Sequence, residues 1–218
     1  MPDHRQKKLQ KHKKKRAGVT RRGPGQESQA AQQQALERYF VSAALPRPFG
    51  PCFVTRGWDD EARKRLQCVV VTHELDDASL LPAVLLVDLG CEGIKDAFVL
   101  APVPAGEGMQ RVLDKMTEWF PGGFQQVPPH VASAIAVRGK AWAEKLGFET
   151  TQNVRKVLPL LDSSEFVSDV EVPLGRQGKP VYAPEPGEDT RPVIQRLARA
   201  LGPDGFVVEL PEGGTPHP

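Results

Sequence analysis

The chain has 218 residues, of which 39% are hydrophobic and 26% are charged, a composition typical of a globular protein with one substantial core. No apolar run approaches the roughly 20 residues that a membrane-spanning helix needs, and the cationic N-terminal stretch continues into a Gln-rich stretch rather than into the apolar segment of a secretory signal. The sequence therefore argues against a membrane protein and predicts a cytoplasmic one.

The net charge of +2 conceals two oppositely charged parts of the chain. Residues 1–22 contain ten Lys or Arg and one acid, a local charge of +9, and the remaining residues carry −7. A segment with this much like charge and few apolar groups cannot bury enough surface to offset the entropy of ordering it. We therefore predict a disordered basic arm and linker over residues 1–27, a single domain over 28–210 and a frayed tail over 211–218.

The basic arm is expected to bind a polyanion, because flexible cations need only phosphates for electrostatic attachment. An anionic membrane is the weaker alternative, since the arm has no bulky apolar anchor, no Cys and no Gly directly after Met1. This leaves a nucleic acid, RNA or DNA, and we predict RNA or the ribosome as the partner. A merely solubilising tail stays open as the simpler alternative. The predicted nucleic-acid-binding residues are Lys7, Lys8, Lys11, Lys13, Lys14, Lys15, Arg16, Arg21 and Arg22.

In the first half of the domain, caps, apolar spacing and β-branched content predict one helix and three strands. Ser28 is placed to cap a helix over residues 29–45. Residues 52–55, 66–75 and 83–89 are predicted as strands, with "DDASLLP" as the turn before the third. The short connections between these strands favour antiparallel pairing.

The second half is predicted to be mainly helical. Apolar residues at helical spacing, opening prolines and a Thr150 or Thr151 cap predict four helices, over residues 107–120, 129–146, 152–162 and 190–202. Pro159 is expected to end or kink the third of them. The stretches "PVYA" and "FVVEL" are predicted to be extended. Together these elements predict an α+β fold, in which a small, mainly antiparallel sheet is packed by four or five helices and is preceded by the disordered basic arm.

The cysteine pattern and the absence of cofactor motifs argue against several kinds of site. Cys52, Cys68 and Cys91 are odd in number and lie 16 and 23 residues apart, which matches neither a disulfide framework nor a zinc site. We predict buried, reduced thiols. No P-loop pattern is present, and His73 and His130 lie beside no nucleophile motif. The sequence therefore predicts no cofactor and no metal, and it favours a protein that is not an enzyme.

The segment "VDLGCEGIKDAF" is the strongest candidate for chemistry. Asp88, Glu92 and Asp96 supply the oxygen ligands that Mg²⁺ prefers, and Lys95 would contact a phosphate, as in a metal-dependent nuclease or phosphohydrolase. In the structural alternative, Asp88 pairs with backbone amides, Cys91 is buried, and Lys95 is exposed or paired with Asp96. The structural interpretation is favoured, because buried polar groups usually have such partners.

Three stretches of the chain carry a resemblance to other proteins. "VDLGCEGIKDAF", the helix end "AEKLGF" and the later loop "GRQGKPVYAPEPGED" resemble a group of uncharacterised bacterial proteins that share a strand ending in Val-Asp-Leu-x-Cys-x-Gly-x-Lys-Asp. The resemblance covers about residues 48–205 and excludes the basic arm. It implies one folded module, and it carries no activity over to this chain.

Two functions from different classes are compatible with these features. The first is a non-catalytic RNA- or ribosome-associated protein, whose arm binds phosphates and whose acidic body meets a protein partner. The alternative is a metal-dependent hydrolase that uses the acids around Asp88 and Asp96. Trp58, Trp119 and Trp142 are predicted to be core or rim residues rather than base-stacking platforms, because a stacking surface needs aromatic side chains interleaved with cations.

Overall fold

The computed structural model describes residues 24–60, 66–75, 77–184 and 187–209, so the cations of the predicted arm and the predicted tail lie outside the described residues. Within the described part, the predicted α+β class is confirmed. The helices are α1 (Pro24–Ala44), α2 (Glu107–Thr117), α3 (Pro129–Lys145), α4 (Gln152–Val157) and α5 (Arg191–Leu201). The strands are β1 (Cys52–Thr55), β2 (Leu66–Glu74), β3 (Ser79–Asp88), β4 (Gly93–Val99), β5 (Val103–Pro104), β6 (Phe124–Val127), β7 (Val181–Tyr182) and β8 (Val207–Val208).

Helix α1 begins at Pro24, before the predicted cap at Ser28. Proline is favourable in the first turn of a helix, because its missing N–H has no intrahelical partner there and its φ is already helical. The boundary between the two structural units of the chain falls inside this helix, between Tyr39 and Phe40. In the second unit, Phe40 packs against the core and Ala44 is fully buried. The last turn of the helix therefore belongs to the packed body.

The central sheet has the strand order β4-β3-β2-β1-β6, and every neighbouring pair is antiparallel. Strand β5 pairs with the first residues of β3, beside the end of β4. The antiparallel pairing predicted from the short connections is confirmed for β1, β2 and β3. Because β4 and β6 are opposite edges of the sheet, the chain crosses one face through α2 before it adds β6.

Strand β3 is buried on both faces of the sheet, which explains its almost unbroken apolar sequence. Leu81 and Leu85 belong to a core cluster that includes Ile135 of α3. Val84 points to the opposite face and belongs to a second cluster, which includes Met109 of α2. The sheet therefore lies between α3 on one face and α2 on the other.

The predicted turn over "DDASLLP" is wrong in its second half, because β3 already begins at Ser79 and contains Pro82. Along one edge of β3, two strands pair in succession. The ladder with β5 ends at Leu80, and the ladder with β4 begins at Ala83. Pro82 lies in the gap between these two ladders. A proline, which has no N–H to donate, is tolerated where a ladder is interrupted, although its presence in the sequence favours a turn.

In the sequence, Gly90 and Gly93 predict a turn over "CEGIKD", because glycine permits backbone angles that other residues resist. This prediction is wrong in its second part, since strand β4 begins at Gly93. The pairing with β3 shifts by one residue: Leu86 pairs with Asp96, and Val87 pairs with Ile94. Lys95 is therefore the extra residue of a β-bulge, and the bulge breaks the alternation that would identify the strand in the sequence. Strand β6 is not predicted either, because "FQQV" is short and half polar.

The C-terminal part of the chain forms a small unit of its own against the tip of the sheet. The predicted extended stretches "PVYA" and "FVVEL" contain β7 and β8, which pair with each other in parallel as a separate two-stranded sheet. Tyr182 of β7 and Leu197 of α5 share a buried cluster with Cys91 and Leu146. This C-terminal part therefore packs on the β3–β4 turn and on the end of α3.

Glycine is required where α3 lies against the β3–β4 hairpin. Gly93 has φ of +69°, which is the left-handed region that other residues resist. A Cβ added to it would lie 2.6 Å from the Cβ of Ala143 and 2.8 Å from the carbonyl oxygen of Gly139. A Cβ at Gly139 would lie 2.7 Å from Cγ1 of Val87. The helix therefore approaches the hairpin at a distance that a larger residue at either position would prevent.

Replacing Gly93 with Ala should lower the free energy of unfolding by about 2–5 kcal/mol, because left-handed backbone strain and overpacking against Ala143 act together. Urea denaturation followed by circular dichroism measures the change. Gly122→Ala is the matched control, since no atom lies within 4 Å of its added Cβ and it should be nearly neutral. Equal stability of the Gly93 variant and the control would contradict the close helix–hairpin packing.

Candidate functional site

Asp88 closes the turn between β3 and β4. The residue is buried, with 9% of its surface exposed. Its Oδ1 atom accepts hydrogen bonds from the backbone N–H groups of Gly90, at 2.5 Å, and of Cys91, at 3.0 Å. An aspartate that bonds to the backbone two residues later stabilises a turn in the same way as a backbone carbonyl does. The structural interpretation of Asp88, in which its carboxylate pairs with backbone amides, is confirmed.

The carbonyl groups of the same turn hold three other parts of the chain. The carbonyl oxygen of Leu89 accepts a hydrogen bond from the N–H of Gly175 at 2.8 Å. That of Gly90 accepts one from the N–H of Val181 at 3.2 Å and one from Nε1 of Trp142 at 3.2 Å. The turn therefore connects the central sheet to α3, to the loop before β7 and to β7 itself.

Lys95 pairs with a different acid from the predicted one. Its Nζ lies 2.9 Å from Oε2 of Glu92, and both side chains are largely withdrawn from solvent. Asp96 is exposed, and its carboxylate accepts a hydrogen bond from the N–H of Ala97 at 2.9 Å. The predicted alternatives for Lys95, exposure or pairing with Asp96, are therefore wrong. Lys95 is the extra residue of the β-bulge, so its side chain does not follow the alternation of side chains between the two faces of the sheet.

Burial is the largest single influence on the pKa values of Asp88, Glu92 and Lys95. Desolvation raises the pKa of the Asp88 carboxyl, although the N–H groups of Cys91 and Gly90 and the charge of Lys95 act in the opposite direction. Desolvation also raises the pKa of Glu92, in spite of its hydrogen bond with Lys95. For Lys95, burial alone would lower the pKa. The hydrogen bond to Glu92 and the nearby carboxylates outweigh that effect and raise the pKa, which keeps the ammonium charged.

Tyr182 and Glu188 interact electrostatically with Glu92, although the sequence gives no separate signal for either. Tyr182 is fully buried. Burial, followed by a hydrogen bond with Glu188 and the charges of Glu188 and Glu92, raises the pKa of the phenol. The only hint in the sequence is that "GRQGKPVYAPEPGED", which contains both residues, accompanies "VDLGCEGIKDAF" in the resemblance described above.

The four residues of the hydrolase alternative do not all come together. Asp88, Glu92 and Lys95 influence one another electrostatically, whereas Asp96 is exposed and bonded to the backbone beside it. Among the residues that the structure describes, no three His, Cys, Asp or Glu side chains form a group able to hold a metal ion. The arrangement therefore offers carboxylates that stabilise a turn and an ion pair, and the hydrolase stays an untested alternative.

A shallow groove of about 200 Å³ adjoins the same turn. Ile94, Ala143 and Phe148 form its apolar part. Its polar lining consists of Glu92, Lys140, Glu144, Glu149 and Thr150. Lys140 pairs with Glu144 at 2.8 Å, so the lining has more carboxylates than cations. The 200 Å³ include open solvent, and the space that a water-sized group can enter is about 10 Å³, far less than the roughly 300–1,000 Å³ of pockets for small molecules.

The cysteines are free and buried, as predicted. Burial raises the pKa of the Cys52 thiol to about 11 and that of Cys68 to about 12. A nucleophilic cysteine needs a lowered pKa, because the thiolate is the reactive form. Cys52 and Cys68 therefore serve in packing.

The tryptophans differ in their surroundings. Trp58 and Trp142 are partly buried and pack against core clusters, as predicted. Trp119 is 80% exposed, so of the two predicted positions, core or rim, the core is excluded for it. The nine predicted nucleic-acid-binding residues of the arm lie outside the described residues.

Comparisons with known proteins add no family to these observations. The chain matches no protein-family model, no curated protein and no solved structure. In the part of the chain that the structure describes, no helix combines the length and the apolarity needed to cross a membrane.

Replacing Asp88 with Ala should lower the free energy of unfolding by about 1–3 kcal/mol, because the N–H groups of Gly90 and Cys91 lose their acceptor. Asp88→Asn keeps one acceptor oxygen and should cost less. Thermal and urea unfolding measure both effects. Added Mg²⁺ should leave the melting temperature of the intact protein unchanged. A rise with Mg²⁺ that is lost in Asp88→Ala would contradict the structural role and support the hydrolase.

The control for this experiment is the pH dependence of stability, measured for the wild-type protein and for Asp88→Asn. Since the folded-state pKa of Asp88 is raised, the folded protein binds the proton more tightly than the unfolded chain. The wild-type protein should therefore gain stability relative to Asp88→Asn as the pH falls from neutral through the raised pKa. A relative loss of wild-type stability over that interval would show that the carboxylate is not desolvated.

Proposed function

We propose that the chain is a non-catalytic RNA- or ribosome-associated protein of the cytoplasm, anchored by its basic N-terminal arm. The observation that supports this proposal most strongly is the charge segregation, with +9 in residues 1–22 and −7 in the remainder. Such a separation concentrates the attraction for polyanions in one segment. The acidic body, in contrast, repels phosphate.

The arm binds by releasing counterions from the RNA backbone. Each Lys or Arg that neutralises a phosphate frees a condensed cation, so the affinity depends on salt and hardly on sequence. Flexible side chains reach phosphates without presenting a fixed pattern of donors to base edges. We therefore expect an anchor of low sequence specificity, which suits an abundant structured RNA such as that of the ribosome.

The chemistry of the body supports a non-catalytic role. In the segment "VDLGCEGIKDAF", Asp88 closes a turn and Lys95 pairs with Glu92. The thiols of Cys52 and Cys68 are buried with raised pKa values. These groups are occupied in maintaining the fold, which leaves binding as the better supported activity.

A protein partner for the acidic body is part of the same proposal. The groove lined by Glu92, Glu144 and Glu149 has a surplus of carboxylates around an apolar floor. Basic extensions are common wherever a protein must approach RNA, because they neutralise phosphates. A partner that presents a Lys or Arg side chain would match the charge of the groove.

The alternative function, a metal-dependent hydrolase acting through Asp88, Glu92, Lys95 and Asp96, has one observation in its favour. The carboxyl groups of Asp88 and Glu92 have raised pKa values beside a lysine, and perturbed acids occur often at catalytic sites. Buried ion pairs of the fold perturb pKa values in the same way. The Mg²⁺ titration described above separates the two functions.

Replacing Lys13, Lys14, Lys15 and Arg16 together with Ala should weaken binding to unstructured RNA and reduce its salt dependence, because four of the ten cations of the arm are lost. The logarithmic slope is expected to be roughly −0.7 per phosphate neutralised on a single strand. A salt titration of the intact protein, this variant and the body without residues 1–22 measures both quantities.

A matched control removes the same charge from the body. Four exposed cations are replaced with Ala for this purpose, namely Lys145, Arg155, Arg191 and Arg199. The control should bind RNA as the intact protein does. Tight binding by the body alone, or equal losses in the control and in the arm variant, would contradict the proposed role of the arm.

A further inference from the structure

Helix α2 carries a row of exposed cations that ends in an exposed tryptophan. Arg111, Lys115 and Trp119 are four residues apart, and all three are exposed. Residues at this spacing are neighbours on a helix surface. The helical course continues beyond the end of α2, because the N–H groups of Trp119 and Phe120 both donate to the carbonyl oxygen of Met116 at 3.0 Å. The indole therefore follows directly after the two cations on one flank of the helix.

The exposure of this tryptophan is unusual for so large an apolar side chain. Trp119 is 80% exposed, whereas Phe120 beside it packs against the core beneath α2. Tryptophan is highly buried on average, because its ring has a large apolar surface. An indole that is exposed to this extent can offer a ring face to a planar partner.

A third cation approaches the turn that follows the tryptophan. The N–H of Arg56, at the end of β1, donates to the carbonyl oxygen of Gly123 at 3.0 Å. Arg56 is exposed. A Cβ added to Gly122 would meet no atom within 4 Å, so the surface beside the tryptophan is open. Cations therefore lie on both sides of the turn that begins at Trp119.

Two acids of α2 lie close to this row of cations. Glu107 stands four residues before Arg111, at the start of the row, and pairs with Arg111 at 3.3 Å. Asp114 lies beside the row and accepts a hydrogen bond from Gln110 at 2.8 Å. The pair of Glu107 with Arg111 is exposed and therefore weak, so a phosphate can compete for the arginine.

We propose that Trp119 stacks on an unpaired nucleobase of RNA, with Lys115, Arg111 and Arg56 binding the adjoining phosphates. Proteins that bind single-stranded nucleic acid combine cations that follow the backbone with aromatic rings on which bases stack. This inference rests on the proposed function and deepens it, because the arm supplies attraction for any polyanion and Trp119 requires a base. The RNA ligand is thus single-stranded at the contact.

The two contacts differ in how they respond to salt. Phosphate contacts weaken as salt rises, since they depend on counterion release. Stacking involves the apolar faces of the base and the indole, so it is nearly independent of salt. Loss of Trp119 should therefore lower the affinity by the same factor at every salt concentration, and loss of arm cations should change the slope.

The test measures binding of the full chain and of Trp119→Ala to a short unstructured adenylate RNA and to inorganic polyphosphate, which has charge and no bases. The variant should bind the RNA about 5- to 150-fold more weakly, with an unchanged salt slope, and should bind polyphosphate as the wild-type protein does. Trp119→Phe keeps an aromatic face and should recover part of the affinity. Phe166→Ala, which removes another exposed aromatic ring, is the matched control and should bind as wild type.

The outcomes distinguish the inference from the proposed function. If Trp119→Ala binds RNA as wild type while the salt-dependent binding of the full chain persists, the stacking site is overturned and the arm proposal stands. Equal losses on RNA and on polyphosphate would also overturn the stacking site. If the full chain binds neither polyanion, both proposals fail. Circular dichroism of Trp119→Ala and Trp119→Phe should match that of the wild-type protein, because the ring makes little contact with the fold.

Discussion

The body of this protein depends on one buried carboxylate at the end of β3. Backbone N–H groups that are withdrawn from water must find acceptors, and in the β3–β4 turn Asp88 supplies the acceptor for two of them. With the turn fixed, the carbonyl groups of Leu89 and Gly90 are positioned for the loop before β7, for β7 and for Trp142 of α3. The C-terminal cluster around Tyr182 includes Cys91 of the same turn. One turn thus holds distant parts of the chain together.

The same constraint explains why the segment resembles an active site. A carboxylate that is needed inside the protein is desolvated, and a nearby cation reduces the cost of its charge. Lys95 provides that charge, and the β-bulge at its position allows it to pair with Glu92 while Ile94 and Ala97 remain in the core. Acids and a lysine with perturbed pKa values therefore follow from the requirements of folding alone, and they are weak grounds for catalysis.

The sequence predicts those elements in which local chemistry and burial agree. The apolar row of α2 and the Thr151 cap of α4, whose side chain accepts from the N–H of Val154, are confirmed because their signals are local. Strand β4 is missed in part because a bulge breaks its alternation, and β6 because its pairing with β1 joins distant parts of the chain. Asp88 is correctly interpreted from the turn-forming residues around it. Tyr182 and the exposure of Trp119 depend on tertiary packing, which no local pattern reports.

The charge pattern divides the chain into a basic segment and an acidic remainder, and the proposed function assigns the attraction for RNA to the basic segment. The central claim is that the arm carries this attraction, and it is tested most directly by isolating what accompanies the protein from cells. The full chain, purified at low salt, should retain RNA of many sequences, and the RNA should be released at high salt. A chain without residues 1–22, purified in parallel, should retain little. Equal amounts of RNA on both chains, or none on the full chain, would contradict the account.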